Sequence, residues 1–82
     1  MAELLYFGRL TDVTGTGGEE VSLPSDVNDT SALRQWLEIE RGWHGTLTDP
    51  SVRIAINDEI VPDPSKIANG DRIAFLPPVG GG

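Results

Sequence analysis

Apolar and polar positions change period several times along the chain, and each change marks an element. Residues 2–9 hold the run Leu4-Leu5-Tyr6-Phe7, aromatic and mostly apolar, and the pattern predicts a strand. Four glycine or threonine positions follow, Gly15 to Gly18, where a turn is expected. Glu20 to Pro24 alternates polar and apolar and predicts a second strand pairing back as a hairpin, with Pro24 as its stop. The period then becomes helical. Leu33, Trp36 and Leu37 fall at i, i+3 and i+4, which predicts a helix over residues 30–41. Asp29 or Thr30 is suited to the N-cap and Gly42 to a left-handed C-terminal cap. Neither N-cap candidate has Glu or Gln three residues on, so there is no capping box.

Alternation returns in SVRIAIN, with Val52, Ile54 and Ile56 in one phase and Arg53, Ala55 and Asn57 in the other. Asn57-Asp58-Glu59 signals a turn, Ile60-Val61 a short strand, and Pro62 and Pro64 break it. Asn69-Gly70 makes a tight turn into a last strand, Arg72 to Leu76. Strand, strand, helix, strand, short strand, strand predicts an α+β domain: a mixed sheet with one helix across a face. Phase assigns the faces. Val52, Ile54 and Ile56 are expected against the helix. Leu5 and Phe7 share their phase with Glu3 and Arg9, and Leu76 shares its phase with Arg72 and Ala74. Phe7, Ile60 and Leu76 are therefore candidates for an exposed apolar docking patch, with the core as the competing placement for each.

Size and charge narrow the function. Eighty-two residues make one domain of limited core, with little room for a deep pocket. The net charge of −7 argues against nucleic acid and anionic membrane as partners and for a basic protein. The absence of cysteine excludes a disulfide framework, a thiolate metal site and a cysteine nucleophile. MAELLYFGRL lacks the basic start and apolar run of a signal peptide, and no segment is long enough to span a bilayer, so a cytoplasmic, soluble chain is expected.

Several features invite chemistry and do not sustain it. Gly15-Thr16-Gly17-Gly18 lacks the lysine and helix of a phosphate loop and reads as the hairpin connection. Asp58, Glu59 and Asp63 surround a turn and read as solvated loop charges, so no metal site is expected. His44 has no cysteine or second histidine near it. Trp36 is expected in the core by its spacing, and Trp43 at the core's edge.

The ending FLPPVGGG is different. Pro77 and Pro78 favour an extended exit from the last strand, and Val79 precedes Gly80, Gly81 and Gly82, which have no side chains. Such a segment can thread a narrow channel, because backbone without β-carbons approaches a second active site closely. The reactive group it offers is the Gly82 carboxylate, which can be activated as an acyl-adenylate and attacked by a sulfur or amine nucleophile. Residues 1–76 are thus read as the domain and 77–82 as its tail.

LYFGRL, INDEIV and NGDRIAFLPPVGGG together resemble the MoaD family, small subunits of molybdopterin synthase, in register over the whole chain. The PPV-x-GG end after a G-D-x-[IV]-A-F strand is its most specific part. Gly80 and Leu76 depart from the residues common in the family; Gly81 and Gly82 do not. The resemblance implies a β-grasp, ubiquitin-like fold and a sulfur carrier that binds no cofactor and is not catalytic alone. An E1-like adenylyltransferase would adenylate Gly82 with ATP, and a sulfur donor protein would supply the atom for a thiocarboxylate. The tail, Pro77 through Gly81, would then insert into the large subunit, in a heterotetramer, to sulfurate the cyclic pyranopterin precursor. Phe7, Ile60, Phe75 and Leu76 are the partner-binding residues expected on this reading. The residues leave open a carrier for another pathway, a ubiquitin-like modifier conjugated through Gly82, or a binding module with an inert tail.

Overall fold

A computed structural model describes residues 1–43 and 45–78. His44 and the tail residues Val79, Gly80, Gly81 and Gly82 lie outside the described residues. The elements run β1 (Ala2–Tyr6), α1 (Leu10–Thr14), β2 (Gly18–Val21), α2 (Thr30–Arg41), β3 (Arg53–Ile56), β4 (Glu59–Val61) and β5 (Arg72–Leu76). The five strands form one sheet in the order β2-β1-β5-β3-β4, with β1 and β5 parallel at its centre and the other pairs antiparallel. First and last strands side by side beneath one main helix are the arrangement of the β-grasp fold.

Helix α2 begins where its cap chemistry directs. The Asp29 carboxylate accepts the Ala32 amide at 2.7 Å, and Gly42, at φ 70°, donates its amide to the Glu38 carbonyl. Leu33 and Leu37 are fully buried on the face toward the sheet, each worth about 1.5–3 kcal/mol by apolar burial. They meet Ala2, Leu4 and Tyr6 of β1, Ile54 of β3, and Ile73 and Phe75 of β5 in one core, with Trp36 partly buried against it. The turn between β3 and β4 places Asn57 and Asp58 at φ 50° and 74°, which brings the short edge strand back onto β3.

The expectations need four corrections. The second strand runs Gly18–Val21, where Glu20 to Pro24 was expected, because its register with β1 starts at Leu5↔Gly18 and ends at Ala2↔Val21. The first strand ends at Tyr6, short of residue 9, because Gly8 takes φ 56° and the chain turns into α1, capped by Gly15. The link between β1 and β2 is thus a turn of helix followed by a glycine-rich bend, where a plain hairpin was expected. Asp63 is more than a solvated loop charge: though partly exposed, it is tied to Arg34 and Thr30 of α2. Arg34 is itself buried, 6% exposed. Its Nη1 donates to the Leu47 carbonyl at 2.5 Å and its Nη2 to the Val52 carbonyl at 2.6 Å. Its Nε lies 2.8 Å from Asp63 Oδ2, close enough for an ion pair although off the line of a hydrogen bond. One guanidinium thereby fastens α2 to the loop before β3 and to the turn after β4.

Candidate tail root and docking face

The sheet has a covered face under α2 and an open face opposite. Its register sets out the open face in rows. Leu5 pairs with Ala74, Ala74 with Ala55, and Ala55 with Ile60. The two alanines, though on the open face, are only 9% and 7% exposed, and stand in one row between the larger Leu5 and Ile60. One step toward the end of β5, Arg53 pairs with Leu76. The Phe7 amide donates to the Phe75 carbonyl at 3.2 Å, continuing the parallel ladder and setting Phe7 beside Leu76. Phe7 is 46% exposed, Ile60 59%, and Leu76 partly buried. Three of the four candidate contact residues therefore lie on one face at or near the point where β5 passes into Pro77 and Pro78.

Phe75 does not join them. It shares its phase with Ile73, points to the covered face and is fully buried, stacked on Tyr6 with ring centroids 5.6 Å apart. Its role is to anchor the strand that carries the tail. Tyr6 is also met edge-on by Trp43 at 5.4 Å, which places the tryptophan that sequence reasoning left at the core's edge. The Tyr6 hydroxyl donates to Glu19, and Arg41 donates to the same carboxylate. Burial, reinforced by that hydrogen bond, pushes the Tyr6 phenol well above the usual phenolic range. The proton stays on oxygen.

On the other side of the tail root, Pro77 and Pro78 share a groove with Arg9, Leu10 and Val13 of the α1 region and with Asp49. The Ser51 amide and hydroxyl donate to the Asp49 carboxylate at 2.9 and 2.8 Å and hold it below the usual carboxylate range. At the far end of the sheet, Glu3 and Asp58 flank Arg72 and keep it protonated. Those charges are satisfied internally. Among the described residues, no group of three or more His, Cys, Asp or Glu side chains is placed to hold a metal ion, and no helix is long and apolar enough to cross a membrane.

A family model described as the ThiS family matches residues 4–82. The chain is 32% identical over 83 residues to the molybdopterin synthase sulfur carrier subunit of Escherichia coli (strain K12), covering 100% of both chains. It is 35% identical over 85 residues to the Homo sapiens protein of the same description, covering 98% of this chain and 92% of that one. Among solved structures it resembles a chain in the complex of subunits 1 and 2 of molybdopterin-converting factor from Helicobacter pylori 26695. There the TM-score is 0.68 at 28% identity, over 99% of this chain and 97% of that chain. Matched by the family model and aligned end to end with curated carriers, the chain belongs to the ThiS family as a MoaD-type sulfur carrier subunit.

Proposed function

We propose that this chain is the sulfur-carrying, non-catalytic subunit of molybdopterin synthase, with the Gly82 carboxylate as its reacting group. The observation that supports it best is the position of the tail root. The central strand β5 ends at Leu76 beside the exposed Phe7, so a protein that receives Pro77 to Gly82 must also meet the open apolar face. The family supplies the chemistry. A Gly82 carboxylate oxygen attacks the α-phosphate of ATP and releases pyrophosphate, giving an acyl-adenylate in an E1-like enzyme. The terminal sulfur of a donor-protein persulfide then displaces AMP at the acyl carbon. A thiol attacks the donor-side sulfur of that acyl disulfide, leaving a disulfide and releasing the thiocarboxylate. The first attack is at phosphorus and the second at the acyl carbon, where a glycine without a side chain leaves the approach open.

The large subunit takes the tail and binds the cyclic pyranopterin precursor. Sulfur passes to the precursor, and water returns the glycyl carbon to a carboxylate, so the carrier is regenerated. A dithiolene holds two sulfur atoms and each carrier brings one, so two loaded carriers are consumed for each molybdopterin. The precursor is a phosphate. A chain of net charge −7 is ill suited to bind it, so the cationic pocket belongs to the large subunit. The cytoplasm fits this work, since activation consumes ATP.

The test is reconstitution. Carrier bearing the thiocarboxylate, mixed with the large subunit and precursor, should yield molybdopterin. The same chain shortened by Gly81 and Gly82 should yield none. Product from the shortened chain would refute the assignment.

A further inference from the structure

The chain's six cations are unevenly used. Arg34 is buried against Asp63, Arg41 pairs with Glu19, and Arg72 is held between Glu3 and Asp58. Lys66 forms a backbone bridge with Asp29 at the start of α2, and its ammonium has no ion pair among the described residues. Arg9 and Arg53 are the other two without one. Among the described residues neither lies within ion-pair distance of a carboxylate, although the chain has 13 acidic residues. Asp49, which shares the groove with Arg9, is engaged by Ser51 instead.

Both free guanidinium groups are exposed at the tail root. Arg53 stands across the β3–β5 ladder from Leu76, at the margin of the patch that includes Phe7. Arg9 shares its groove with Pro77 and Pro78. A strongly acidic chain thus presents two cations without ion pairs where its tail leaves the fold, against one carboxylate, Asp49, in the same groove. A protein that accepts the tail has its channel mouth against Leu76 and Pro77, and hence against these two side chains.

We propose that the large subunit covers this end of the open face with an apolar surface rimmed by carboxylates, which pair with Arg53 and Arg9. This rests on the sulfur-carrier reading above and extends it. The receiving protein has an acidic lip around a deeper cationic pocket for the precursor's phosphate. The lip fixes the angle at which the tail enters, and like charge on it disfavours carriers with acidic residues at the same two places.

The experiment is a calorimetric titration of the full chain against its large subunit at low and high ionic strength. It compares wild type, Arg53→Glu, Arg9→Glu and Arg53→Ala, with Glu40→Lys on the exposed side of α2 as the control for net charge. The two charge reversals should weaken binding by about tenfold or more at low salt, and the gap should narrow at high salt. Arg53→Ala should fall between, and the control should bind as wild type does. Circular dichroism should be unchanged throughout, because both arginines are exposed. Charge reversals that bind like wild type, or tighter, overturn the acidic lip while leaving the sulfur-carrier reading standing. Wild type that does not bind at all overturns that reading, and the lip with it.

Discussion

The Tyr6 hydroxyl donates to the Glu19 carboxylate at 2.9 Å, and through Arg41 on the same carboxylate the contact ties β1, β2 and the end of α2 together. Tyr6 is 2% exposed and is the chain's single tyrosine. In the unfolded chain its phenol ionises near pH 10, whereas in the fold it keeps its proton well above that. Its contribution to stability is therefore complete below about pH 10 and is lost as pH rises beyond it. Urea unfolding of wild type should show this alkaline loss. Tyr6→Phe should be less stable at neutral pH by about 0.5–1.5 kcal/mol and flatter above pH 10. Phenolate absorbance should appear only with unfolding, and its appearance in the folded protein would contradict the assignment.

Arg34 should be the polar residue whose loss costs the fold most. Arg34→Met leaves the Leu47 and Val52 carbonyls without their donor and Asp63 without its cation. Because Asp63 is about a third exposed, water recovers part of its charge, and the cost should be about 2–4 kcal/mol. For a small domain that is a large share of the total. Arg34→Lys keeps the charge without the fork and should fall between. Denaturant midpoints measure the series.

Much of this fold is legible in the sequence, and the misses have physical causes. The helix over residues 30–41 was readable because Asp29 and Gly42 mark its ends and its apolar spacing is regular. The last strand, 72–76, was readable from the Asn69-Gly70 turn and the proline stop. Helix α1 has five residues with only Leu10 buried, too short to show a 3.6-residue period. Arg34 carries no expectation in the sequence reading, because arginine is seldom fully buried. Yet Thr30, Leu33, Arg34 and Leu37 make the i, i+3, i+4, i+7 stripe, and that spacing was the available signal. Simple alternation would have assigned Phe75 to the covered face with Ile73. The cationic tail root was not legible at all, since Arg9 and Arg53 are 44 positions apart and meet the tail only through the β3–β5 register and the α1 groove.

Phe7→Asp should separate docking from folding. Phe7 is 46% exposed and outside the core, so the variant should lose less than about 1 kcal/mol of stability. It should bind the large subunit at least about tenfold more weakly, since a buried carboxylate would face an apolar surface. Full binding by the folded variant would remove Phe7 from the interface.

Adding one residue after Gly82 should abolish sulfur transfer without altering the domain, because the carboxylate then stands one residue from where it must react. Activity measured after intact mass has confirmed the extension is uncleaved gives the answer. Retained transfer would mean that Gly82 is not the reacting end.

The most direct measurement is the intact mass of the wild-type chain after incubation with an E1-like activating enzyme, ATP and a sulfur donor, and again after adding the large subunit and cyclic pyranopterin precursor. The account predicts a gain equal to replacing one oxygen by one sulfur, located at Gly82, which disappears as molybdopterin forms. No gain, with the enzyme active on a control carrier, or a gain that persists beside that acceptor, would contradict it.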